Sequence, residues 1–109
     1  MIEFLPFAVS ESEAVYRAYE NGDVTGECSF TFEGSCMRIT GLSGDDLTGE
    51  GLVRSAMNYA ANRGAYTCSA AEDMLCPALS RLGFSGSCLT VEIPEALTSS
   101  CCKHEIKSE

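Results

Sequence analysis

Apolar and polar positions follow two rhythms along this chain, a period of two over roughly its first forty residues and a period near 3.6 further on. Val24, Gly26, Cys28, Phe30 and Phe32 alternate with Thr25, Glu27, Ser29, Thr31 and Glu33, the pattern of a strand with one buried face. Ala14 to Tyr19 reads as an extended segment before it, joined through Asn21-Gly22, a dipeptide that accepts the positive φ angles of a tight hairpin turn. Gly34-Ser35 then turns the chain into a strand from Cys36 to Leu42. Residues 2–9, IEFLPFAV, read as one more strand, which Pro6 assigns to a sheet edge because proline donates no ladder hydrogen bond. Together these segments predict an antiparallel meander.

Beyond the loop SGDD the rhythm changes. Leu52, Val53, Ala56, Met57 and Ala60 recur at helical spacing, with Arg54, Ser55, Asn58 and Asn62 opposite. The stretch LTGEGLVRSAMNYAANRG, residues 47–64, therefore reads as a glycine-bearing turn entering an amphipathic helix that stops at Arg63-Gly64. AYTC, residues 65–68, reads as a short buried strand. Ser69 to Glu72 has capping-box spacing, and Met74, Leu75, Ala78, Leu79 and Leu82 form a second apolar stripe ending at Gly83. Pro77 sits too deep in that stripe for a first turn and predicts a kink or two short helical pieces. CLTVEI, Cys88 to Ile93, supplies a last strand before Pro94. This order predicts an α+β domain over residues 1–97, with two main helices against a mixed, mostly antiparallel sheet, and a polar tail over 98–109. The strand–helix–strand crossover is expected to be right-handed.

Composition narrows the partners. Seven Lys and Arg against sixteen Asp and Glu give a formal charge of −9, which opposes nucleic acid and anionic membranes alike. The chain holds 45% hydrophobic residues, enough for one core, but no run approaching the roughly 18 apolar residues of a membrane span. The N-terminus MIEFLPFAVSESE lacks the basic and long apolar regions of a secretory signal. A soluble, cytoplasmic protein is expected. Seven cysteines are an odd count, and Cys28, Cys36, Cys68, Cys76 and Cys88 sit inside apolar patterns, so they read as small reduced hydrophobes rather than a disulfide frame. Cys101, Cys102 and His104 lie close together in the tail TSSCCKHEIKSE, without zinc-finger spacing; no metal site is assigned.

The order of elements, with GEGL opening the main helix and ALSRLGF closing the second, resembles the GNAT superfamily of acetyltransferases over roughly residues 14 to 93. In that family the loop before the main helix carries a Gln/Arg-x-x-Gly-x-Gly/Ala signature, whose backbone amides hold the pyrophosphate of acetyl-coenzyme A. A helix start suits that task through its unpaired N–H groups and positive dipole end, and glycine lets phosphate approach the backbone. Carried over residue by residue, Asp46-Leu47-Thr48-Gly49-Glu50-Gly51 keeps both glycines but places aspartate where the family has Gln or Arg. Asp45, Asp46 and Glu50 fall within about one Debye length, roughly 8 Å, of such a phosphate and oppose it. Arg54 is the nearby counter-charge. If the helix instead begins nearer Asp46, Gly49 and Gly51 become turn and packing glycines with no signature role.

The resemblance implies a small acyltransferase in which Gly49, Glu50, Gly51 and Leu52 present amides to acetyl-CoA, Arg54 offers charge, and the strand ending near Leu42 pairs with the pantetheine. It further implies a small-molecule or peptide amine as acceptor, for which the acidic surface suggests a cation such as a polyamine or lysine side chain. The family's catalytic tyrosine, four residues before Leu-Gly-Phe, corresponds to Leu79, which donates no proton. Glu72 stands where the family often has Asn. Cys68, closing the strand after the main helix, is then the candidate nucleophile or acid, and needs a lowered pKa to react; its alternative is a buried core thiol. Tyr59, off the main stripe of its helix, is a candidate phenolic acid whose alternative is partial burial against the sheet, and Glu27, Thr31 and Glu33 line a polar strand face. Asp46, Leu79 and the missing early helices equally suit a catalytically inactive GNAT-like module that binds a ligand or forms a homodimer. A redox or metal-responsive protein built on Cys88, Cys101 and Cys102 is the third class.

Overall fold

A computed structural model describes residues 2–87 and 89–97. Four strands come first: β1 (Ile2–Val9), β2 (Glu13–Glu20), β3 (Asp23–Glu33) and β4 (Cys36–Ser43). Helix α1 (Asp46–Asn62), β5 (Thr67–Ala70), a 3-10 turn (Glu72–Met74), helix α2 (Pro77–Ser80) and β6 (Thr90–Glu92) follow. The strands form one sheet in the order β1-β2-β3-β4-β5-β6. All neighbours are antiparallel except β4 and β5, which run parallel because α1 crosses over between them. The α+β architecture and the edge position of β1 agree with the sequence pattern, as does the hairpin at Asn21 (φ 56°) and Gly22 (φ 88°).

α1 lies across one face of the sheet. Its buried stripe of Leu52, Val53, Ala56, Met57 and Ala60 packs with Ala14, Tyr16 and Ala18 of β2, Cys28 and Phe30 of β3, Met37 and Ile39 of β4, and Cys68 and Ala70 of β5. Alternation, interrupted by register shifts at Ala18/Tyr19 and Ser29/Phe30, places those residues on one side and leaves Val15, Arg17, Glu27, Ser29, Thr31, Arg38 and Thr40 half-buried or exposed. There Arg17 pairs with Glu27 at 2.8 Å and lies 3.5 Å above the ring centroid of Phe7. Tyr59 joins the cluster of Tyr16, Phe30 and Phe32. Its hydroxyl accepts from Arg63, which also donates to the carbonyls of Ser10 and Glu11 and so ties the end of α1 to the β1–β2 loop.

Several boundaries differ from the sequence reading, each for a local reason. β5 begins at Thr67 rather than residue 65, since the Ala65 amide is still bonded to the Ala60 carbonyl at the helix end. Ser69 is in β5, opposite Thr90, and caps no helix. Pro77 occupies the first turn of α2, where its missing N–H costs nothing, so the second stripe splits into the two short pieces foreseen. Ile93 starts a helical stretch over 93–97 instead of ending β6. Cys88, Cys101, Cys102 and His104 lie outside the described residues. Among the described residues no helix is long and apolar enough to cross a membrane, and no group of three or more His, Cys, Asp or Glu is placed to hold a metal ion.

Candidate functional site

β4 and β5 are paired from Cys36 opposite Thr67 to Ile39 opposite Ala70 and no further. β4 continues to Ser43, while the chain leaves β5 through Ala71, the 3-10 turn and Cys76 toward Pro77. The two parallel strands thus part at their carboxyl ends, and an open cleft of about 350 Å³ lies between them. Leu42, Gly44, Asp45, Asp46 and Gly49 form one wall, and Asp73, Met74, Leu75, Cys76 and Ala78 the other. The carboxyl ends of parallel strands beside a helix start are where open α/β sheets place their ligands.

Close packing holds the helix start in position. A Cβ on Gly26 would lie 2.7 Å from the Ser43 carbonyl oxygen and 2.9 Å from Cγ2 of Thr48, so only glycine lets the first turn of α1 settle on β3. Thr48 is buried there. Asp45 is the N-cap: its Oδ1 accepts from the Thr48 amide at 2.8 Å, and its backbone carbonyl accepts from the Gly49 amide at 2.7 Å. The Thr48 amide also holds the Asp45 carboxyl below the usual carboxylate range.

Asp45 therefore starts α1 one turn before the glycines, which decides what they do. Glu50, Gly51 and Leu52 fall in the helix's own hydrogen-bond ladder and present no unpaired amide. Gly49 is buried, with Cβ of Ala78 and both methyls of Leu42 around the space its own Cβ would take. Gly51 faces the edge strand: a Cβ there would approach within 2.9 Å of Cε1 and 2.8 Å of Cε2 of Phe4. Leu52 is wholly buried in the core. Glu50 sits between Arg54 at 3.7 Å and Arg81 at 3.6 Å, so Arg54 is engaged on the flank of the helix and does not line the cleft. Cys68 is also wholly buried, and burial, with Cys28 and Cys36 nearby, pushes its thiol well above the ordinary value. A thiol so placed stays protonated at neutral pH.

Of the residues picked from the sequence, the cleft brings together Leu42 and Gly49 and leaves out Glu50, Gly51, Leu52, Arg54 and Cys68. Sequence reasoning missed Asp73, Met74, Leu75 and Cys76, because the expected helix over that stretch put them on a helical face. Pro77 was the available signal: a proline that starts a new helix leaves the residues before it as irregular chain, and here that chain lines the cleft. Among the described residues, the cysteine at the cleft is Cys76.

No family model and no curated protein matches the sequence. Solved structures match its shape. A cAMP-binding acyltransferase from Mycobacterium smegmatis, in a mutant form, superposes with a TM-score of 0.61 at 18% identity, over 88% of this chain and 34% of that one. A second mutant form gives 0.58 at 16% identity over 84% and 40%. The tandem GNAT protein from the clavulanic acid biosynthesis pathway, in its form without acetyl-CoA, gives 0.56 at 13% identity over 64% and 36%. The chain has a GNAT-like fold. It spans between 34% and 40% of the length of these structures. The residues present do not fit a diphosphate. Asp45, Asp46 and Asp73 line the cleft, no Lys or Arg does among the described residues, and the amides of Thr48 and Gly49 are taken by Asp45.

Proposed function

We propose that this chain is a GNAT-like binding module, one that retains the fold's cleft without using acetyl-CoA as a cofactor. The observation that carries this reading is the helix start. Where a diphosphate needs unpaired amides and positive potential, α1 offers an aspartate cap, a second aspartate in its first turn and amides already bonded to the cap. The buried Cys68 and the leucine at position 79 add no proton donor to the cleft.

A second reading, an acyltransferase using acetyl-CoA on a cationic amine, is favoured by the open cleft beside Gly49 and by the acyltransferases among the structural neighbours. Isothermal titration with acetyl-CoA separates the two. The binding-module reading expects no heat at millimolar ligand, and saturable binding with one site per chain overturns it. Light scattering on the same sample reports whether the module is a monomer or a homodimer.

A further inference from the structure

We propose that the cleft beyond the β4–β5 pairing docks an extended peptide segment bearing lysine or arginine. The inference rests on the binding-module reading and adds what is bound. Residues 40–43 of β4 have β3 along one edge and, among the described residues, no strand along the other, since the parallel register stops at Ile39 and Ala70. No backbone hydrogen bond joins 40–43 to 71–78 among the described residues. A bare strand edge is a row of backbone donors and acceptors that an added strand satisfies. Four residues of edge span about 13 Å at roughly 3.3 Å each, room for a peptide of about four to six residues.

The walls say which side chains suit it. Leu42, Met74, Leu75 and Ala78 give the cleft an apolar side, which takes one aliphatic side chain or the stem of a lysine. Asp45, Asp46 and Asp73 line it with carboxylates that no basic residue offsets among the described lining residues, so a cation gains where an anion loses, and the formal charge of −9 extends that preference beyond contact range. A small polyamine would answer the charge and leave the strand edge unused, which is why a peptide is the occupant.

The test is titration of the whole chain with a blocked hexapeptide of alternating valine and lysine, its valine–glutamate counterpart, spermine and acetyl-CoA, at about 20 and about 300 mM salt. The lysine peptide is expected to bind, to weaken severalfold at the higher salt, and to shift the amide resonances of residues 40–43 and 73–76. Asp46→Asn with Asp73→Asn is expected to lower its affinity about tenfold with the Tm held. Equal binding of the glutamate peptide, equal binding of spermine, or shifts confined to other strands overturns the proposal. Heat with neither peptide nor acetyl-CoA overturns the docking proposal alone, whereas binding of acetyl-CoA overturns the reading beneath it.

Discussion

Replacing Gly51 by alanine separates two explanations for a glycine in the second turn of α1. In an ordinary helix interior the change is stabilising by about 1 kcal/mol, because alanine loses less backbone freedom. Here the added Cβ would meet the ring of Phe4 at 2.8 and 2.9 Å, and closer still at its tip, and overpacking of that kind costs about 1–3 kcal/mol. The sum is a net loss of about 0–2 kcal/mol, or a Tm drop of up to roughly 10 °C for a domain of this size. Phe4→Ala removes the obstacle. In that background Gly51→Ala is expected to recover its ordinary gain of about 1 kcal/mol, so the sign reverses and the coupling between the two positions is about 1–3 kcal/mol. Urea unfolding of the four proteins measures it, provided the m-values agree. Equal stabilisation by Gly51→Ala in both backgrounds would refute the packing argument and return Gly51 to the list of glycines kept for a ligand.

Asp45→Ala is expected to lower the Tm by several degrees through loss of the cap, while Asp45→Asn keeps most of it, as thermal melts at neutral pH would read. Because the Asp45 carboxyl is held below its unfolded value, its contribution is fully present above about pH 4 and is lost as pH falls through the lower folded value, so the gap between wild type and Asp45→Ala should close in acid. Burial pushes Cys28 up to about 12 and Cys68 higher still, so a thiol reagent at pH 8 should label half-buried Cys76 while these two react only on unfolding; prompt labelling of Cys68 in the folded chain would reinstate it as a nucleophile. Arg63→Ala removes the donor to Ser10, Glu11 and Tyr59 and should cost about 1 kcal/mol, with faster amide exchange around residues 10–13 as its local signature.

Much of the architecture was legible in the chain because local patterns there agree with the global fold. Alternation from Gly26 to Glu33 and the 3.6-residue stripe of α1 each name an element and its buried face, the Asn21-Gly22 pair names a turn and Pro6 an edge, whereas Val24, read as buried, is exposed beyond the register shift between β2 and β3. The candidate site was far less legible. Gly49-Glu50-Gly51 has the residue types of a phosphate loop, but those letters carry that meaning only if the helix begins among them. The competition between Asp45 and the glycines for the helix start is settled by a cap hydrogen bond and by the fit of Thr48 against Gly26.

Periodicity and turn chemistry, acting within a few residues, name the first four strands and α1 and most of their inward faces, but not the helical stretch that begins at Ile93, which reads as the end of a strand. Long-range packing is what makes β4 outlast its pairing with β5, brings Asp73 and Cys76 to the same cleft as Asp46 and encloses Cys68. Those outcomes depend on contacts between residues far apart in the chain, where the room left by one side chain is set by another.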